Sequence, residues 1–176
     1  WIVDFHQKAS PQAHGIPKYF FFPGFQKNAG GILIDPIPKG QSLTEQLIPE
    51  SLETSWKLLR PNTKRISVFC YPGAPLLRWL EDLATLGENF DIVLTHGQRE
   101  QLQFGSGGST QALALPDSIR LISIPFVSQD EYDWVLSQCD FNIVRGEDSF
   151  VRAQLAGKPF IWHIYPQEDG AHKTKL

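Results

Sequence analysis

Arg145, Gly146, Glu147, Asp148 and Ser149 stand in one run between the apolar stretch FNIV and the helical-looking FVRAQLAG. A basic side chain, a residue without a Cβ, two acids and a hydroxyl at a strand-to-helix junction could do specific chemistry. The first amides of a helix lack intrahelical partners and carry positive potential, so such a junction is suited to a phosphate. Arg145 could neutralise a diphosphate, Gly146 could admit the ligand close to the backbone, and Ser149 could donate a hydrogen bond. Glu147 and Asp148 would then meet hydroxyls or a cationic group. The plainer alternative is a capped helix, with Glu147 or Asp148 serving the helix dipole and Arg145 paired with an acid.

The same pattern recurs after the next apolar run, where Gln167, Glu168 and Asp169 follow Pro166; capping is again the alternative. Phe69 and Tyr71 end one apolar run, Phe126 ends another, and Gln129 opens the helix that follows it. An aromatic at a strand end usually packs into the core. A nucleobase, however, requires a flat apolar slot with a few polar groups aimed at its edge, which Phe126 or Phe69 with Gln129 could give a pyrimidine. His163 and His172 are too isolated to argue for a metal. There is no P-loop and no Gly-x-Gly-x-x-Gly, which leaves ATP hydrolysis and nicotinamide binding unsupported.

These residues need elements to hold them. Apolar runs at 18–25, 65–71, 90–95, 118–127, 141–145 and 158–164 are short, nearly continuous and followed by Gly, Pro, Asp or Ser, as strands of a parallel sheet are. Helical spacing lies between them. In 74–87 it places Leu76, Leu77, Leu80 and Leu83 on one stripe before Gly87. The stretch 128–139 opens on a capping serine and an acidic turn; 147–159 has acids first, then Phe150, Val151 and Leu155, then a Gly stop. SLTEQ (42–46) and SLETSWKLL (51–59) also read as helical, and 105–110 as a Gly/Ser-rich loop. Strands alternating with helices predict an α/β fold, a Rossmann-like parallel sheet with helices on both faces. Residues 1–17 show no periodicity and form a lead-in to a domain over 18–176.

The bulk numbers set limits. A chain of 176 residues supports one well-packed domain. Hydrophobic residues make up 41% and charged residues 20%, as in globular proteins. A net charge of −3 without a long basic run argues against nucleic acid or an anionic membrane as partner, and no apolar segment approaches a bilayer span. The two cysteines, Cys70 and Cys139, lie inside apolar stretches and are expected as buried thiols, which favours the cytoplasm. With no methionine and Trp1 as its first residue, the chain is read as a piece of something longer.

KYFFFPGF followed by GG, SVFCY, IPFVSQDEYD and above all FNIVRGEDSFVRAQLAGKPFIWHIYPQEDGAH closely resemble the protein-arginine rhamnosyltransferases that modify bacterial elongation factor P. The similarity runs from about Lys18 onward. It implies the C-terminal half of a GT-B glycosyltransferase, binding dTDP-β-L-rhamnose or dTDP, and inverting transfer of rhamnose to an arginine of elongation factor P. On matching positions it places Arg145, Gly146, Glu147, Asp148 and Ser149 on the diphosphate and sugar-nucleotide hydroxyls. Tyr71, Phe126 and Gln129 would line the thymidine pocket, with Phe69 as a further candidate. The family's Asp-Asn-Phe-Gly-Asp-like motif, which supplies its base, and its C-terminal helical tail are not found here. The expectation is therefore donor binding without a catalytic residue in this chain, and no cofactor or metal. Two readings compete with it: a nucleotide-sugar binding or regulatory module without catalysis, and an α/β interaction domain whose polar strand ends are caps.

Overall fold

In the computed structural model, residues 7–9, 17–19, 47–103 and 115–165 are described. The expectations on 20–25, 42–46, 105–110 and 166–172 fall outside them. The chain divides into two compact units, Trp1–Lys39 and Gly40–Leu176. In the first, strands β1 (Gln7–Ala9) and β2 (Pro17–Tyr19) pair antiparallel, with Lys8 opposite Lys18.

The second unit is built on five strands, β3 (Lys64–Val68), β4 (Phe90–Leu94), β5 (Ile119–Ser123), β6 (Phe141–Arg145) and β7 (Phe160–His163). They form one parallel sheet in the order β5-β4-β3-β6-β7. The chain builds outward from β3 in one direction, then returns past it to build the other way. That reversal leaves a crevice beyond the carboxyl ends of β3 and β6, the place where open α/β sheets receive ligands.

Burial explains the apolar runs. Every residue of β4 is buried, and successive side chains enter opposite layers, as a strand's alternation requires. Phe90, Ile92 and Leu94 join Ile66, Val68, Ile119 and Ile143 on one face, covered by α2 (Leu76–Ala84) and α3 (Gln98–Gln103) through Leu76, Leu80 and Leu102. Val93 points the other way, into Leu52, Trp56, Trp134 and Val135. These come from the 3-10 turn Glu50–Leu52, α1 (Glu53–Trp56) and α4 (Gln129–Gln138). On that side α4 also meets α5 (Asp148–Ala156) through Leu136, Val144 and Ala153. Helices thus lie on both faces of the sheet.

Local signals set the boundaries. Ser128 closes a capping box with Glu131: its hydroxyl accepts from the Glu131 amide at 3.3 Å, and the Glu131 carboxylate accepts from its amide at 2.8 Å. Gly157 ends α5 in the left-handed conformation, φ +65°. Two stripes differ from the sequence expectation. Leu77 is 38% exposed, and α2 turns Leu76 and Leu80 inward instead. Val151 and Leu155 of α5 are 45% and 47% exposed, because that helix lays its small residues Ser149 and Ala153 against the sheet. The predicted helix over 51–59 is only one 3-10 turn and one short α turn, sufficient to bury Leu52 and Trp56.

Two polar devices sit within this frame. Asp91, wholly buried on β4, pairs with Arg60 at 2.8 Å. The Arg60 guanidinium also reaches the carbonyls of Phe90, Ser118 and Asp117 at 2.8, 3.1 and 3.0 Å, tying together the entrances of β4 and β5. Between β3 and β6, the Ser67 hydroxyl donates to the Asn142 side chain, whose amide donates to the Leu136 carbonyl at 3.1 Å. Cys70 and Cys139 are free and buried, as expected; burial pushes their thiols up to about 11 and about 12.

Candidate functional site

The crevice between β3 and β6 brings together the residues at the centre of the sequence expectation. Arg145 is the last residue of β6. Its guanidinium lies 4.2 Å from the centre of the Phe69 ring and 4.9 Å from that of Tyr71. Among the described residues it donates one hydrogen bond, to the Cys70 carbonyl at 3.1 Å. A cation within about 6 Å of an aromatic face is attracted to it, so the two rings and one carbonyl hold the head group in place. Among the described residues no acid forms an ion pair with Arg145.

Phe69 and Tyr71 reach this position because β3 leaves the ladder gradually. The Phe69 amide still donates to the Ile143 carbonyl at 2.8 Å. The Cys70 amide is taken by the Gln98 side chain, which also donates to the Cys70 carbonyl, both at 3.1 Å. Gln98 is buried at the start of α3, a helix the sequence did not announce because QREQLQ has no apolar stripe. The Tyr71 amide donates to His163 Nδ1 at 3.1 Å. Tyr71 also meets the rings of His163 and Tyr165 edge-on, at 5.6 and 5.4 Å.

Gly146 turns the chain from β6 into α5 at φ +68°, a region that disfavours any Cβ. A Cβ there would meet the Tyr71 hydroxyl at 3.3 Å, and the Gly146 carbonyl accepts from Trp162 Nε1 at 2.7 Å. Gly146→Ala should therefore cost about 1–2 kcal/mol for the left-handed backbone alone, read as a lower denaturant midpoint. A midpoint unchanged from the parent would mean that the turn relaxes freely.

The rest of the run divides in two. No side chain caps α5; Glu147 stands exposed at the N-cap. Asp148 is held by Arg152 at 2.8 Å, and Arg152 also binds Asp133 at 2.7 Å. Ser149 is buried, beside the Tyr132 phenol. It lowers the Tyr132 pKa slightly against the larger rise from burial, yet the Tyr132 hydroxyl has no hydrogen bond of good geometry among the described residues. Tyr132 itself packs edge-on to Phe69 at 5.9 Å, so this polar pocket lies directly behind the aromatic that supports Arg145. Burial also raises the Asp133 carboxyl, with the Arg152 charge opposing it.

Phe126 and Gln129 lie on the same carboxyl rim but over β4 and β5. Phe126 is 84% exposed and meets His96 edge-on at 6.4 Å; Gln129 is exposed at the start of α4. Gln167, Glu168 and Asp169 lie outside the described residues. Gln98, Tyr132, Trp162 and Tyr165 join the site without a signal in the sequence, since each arrives by tertiary packing.

Comparisons with known proteins identify a family. The model of the family described as "Elongation-Factor P (EF-P) rhamnosyltransferase EarP" matches residues 1–176. A protein-arginine rhamnosyltransferase of Pseudomonas putida is 37% identical over 194 residues, spanning 100% of this chain and 49% of the relative. One from Neisseria meningitidis serogroup B is 36% identical over 178 residues, spanning 97% of this chain and 46% of the relative. The chain thus spans about half the length of the curated relatives it matches. A solved structure described as the structural basis for EarP-mediated arginine glycosylation of translation elongation factor EF-P aligns with a TM-score of 0.62. It is 35% identical, and the alignment covers 83% of this chain and 50% of that one.

Proposed function

This chain belongs to the EF-P rhamnosyltransferase EarP family, and on that premise we propose that its parallel-sheet domain is the donor-binding part of an inverting protein-arginine rhamnosyltransferase. The donor is dTDP-β-L-rhamnose and the acceptor an arginine of elongation factor P. The observation that carries the reading is Arg145, a cation without an acid partner among the described residues, fixed at the crevice where the strand order reverses.

With one N–H spent on the Cys70 carbonyl, the remaining guanidinium donors, unpaired among the described residues, suit a diphosphate in forked geometry. Gly146 lets the backbone approach, and the first amides of α5 add positive potential. Glu147 is exposed and suited to sugar hydroxyls, while Asp148 and Ser149 shape the wall behind through Arg152 and Tyr132. Tyr71 and Phe69 border the diphosphate; Phe126 and Gln129, on the same rim, offer an exposed ring and an amide to thymine. Arg145 and the helix amides suffice for the diphosphate charge, so the reading invokes no metal or cofactor. A guanidinium acceptor needs a base, and none of these residues is assigned that role. The chemistry suits the cytoplasm, where both buried thiols would stay reduced.

Calorimetric titration of the full-length protein with dTDP-β-L-rhamnose, dTDP and UDP-glucose tests the reading. Both dTDP ligands should bind in preference to UDP-glucose; a folded sample that binds none of them sinks the proposal. Binding without transfer to elongation factor P would favour a non-catalytic nucleotide-sugar module instead.

A further inference from the structure

His163 has a place in this crevice that no metal or catalytic role explains. The sheet register sets it directly beside Arg145 on the neighbouring strand, and its Nδ1 accepts the Tyr71 amide at 3.1 Å. An imidazole nitrogen accepts only while it carries no proton, so this bond selects the neutral ring with its hydrogen on Nε2. The Tyr71 amide has left the strand ladder, and His163 is the acceptor that replaces it.

We infer that His163 is a positioning residue that holds Tyr71 in the donor crevice, and that its protonation releases Tyr71 and weakens donor binding. The effect on Tyr71 follows from the fold alone; the effect on binding rests on the donor-site reading above.

The surroundings favour the neutral form. Burial, and then the Arg145 charge, hold His163 below the usual histidine range. The groups facing it are Arg145 from β6 and the Tyr71 ring from the segment after β3. Tyr165, beyond β7, meets the Tyr71 ring, and no carboxylate among the described residues pairs with the imidazole. Because the native pKa is lowered, the unfolded state takes up the proton first. The contribution of this contact is therefore complete above about 6.5 and is lost as pH falls through the lower native value.

Two substitutions separate positioning from bulk. His163→Asn places an amide oxygen near the Nδ1 position and does not titrate; His163→Phe keeps a ring and offers no acceptor. Amide hydrogen exchange in the full-length protein, corrected for intrinsic rate and read without ligand, should show Tyr71 protected near pH 7.5 and less protected near pH 5.5. In His163→Asn it should stay protected at both, and in His163→Phe at neither, while Phe90–Leu94 keep their protection in all three. Titration with dTDP-β-L-rhamnose should show affinity falling toward the acid end in the parent, and near pH 7.5 binding should be about tenfold weaker in His163→Phe than in the parent, the loss expected for an unsatisfied amide. His163→Asn should be flat and His163→Phe weak throughout. Tyr71 protection in His163→Phe equal to the parent, or an acid limb that persists in His163→Asn, overturns the inference. If the exchange pattern holds but no dTDP ligand binds, the Tyr71 contact stands and the donor reading fails.

Discussion

Arg60→Met should remove about 3–5 kcal/mol of folding stability, the cost of stripping one partner from a buried ion pair. Asp91 has no exposed side-chain surface. Among the described residues its carboxylate is satisfied by Arg60, through Nε at 2.8 Å and the backbone amide at 2.6 Å. With the guanidinium gone, the charge keeps one amide and must either stay buried unpaired or take up a proton. Three carbonyls at the entrances of β4 and β5 lose the guanidinium together, although that of Ser118 keeps the Phe90 amide at 2.8 Å. For a chain of this size the melting temperature should drop by on the order of 10 °C, followed by circular dichroism. Adding Asp91→Leu should recover part of the loss by removing the stranded charge, and only part, because the Phe90 and Asp117 carbonyls still lack the guanidinium. A single variant within about 0.5 kcal/mol of the parent, the range of an ordinary surface change, would mean that water reaches Asp91.

Arg145→Ala should weaken binding of dTDP-β-L-rhamnose by about 1.5–3 kcal/mol, the range for a hydrogen bond to a charged group. Arg145→Lys should fall between the two, since it restores charge without the forked donors or the flat face that Phe69 and Tyr71 support. A second readout needs no ligand. The Arg145 charge helps to hold down both the Cys70 thiol and the His163 imidazole, so in Arg145→Ala both should titrate higher. Donor affinity equal to the parent, with the His163 shift present, would show that Arg145 sits where described and that the diphosphate binds elsewhere.

The sequence was a good guide where the determinant is local. Continuous apolar runs marked β3 to β7 because strands covered on both faces have no polar side to show, and β4, wholly buried, is the clearest instance. Ser128 and Gly157 announced the ends of α4 and α5 because caps are written in neighbouring residues. Nonlocal partners were not legible. Asp91 inside FDIVLT gives no hint of Arg60, and Gln98 looks like any surface glutamine until the fold brings the Cys70 backbone to it. The Arg145 run was identified correctly as a strand-to-helix junction. Its division, with Arg145 presented to the crevice while Asp148 and Ser149 turn to Arg152 and Tyr132, depends on α4 packing against α5.

The hydrogen bond from Ser67 to Asn142 has a consequence for alignment. The two residues are direct partners in the pairing of β3 with β6, which the register records for Ile66–Val68 against Phe141–Ile143. Apolar side chains slide past one another at little cost, but a buried amide cannot be moved without stranding it. A slip by one position would turn Asn142 into the layer of Ile66 and Val68 and bring an apolar side chain opposite Ser67. It would also carry Arg145 about 3.3 Å along the sheet, away from the Cys70 carbonyl and the two rings. The pair works as a vernier, setting the height of the cation against the aromatics on the next strand.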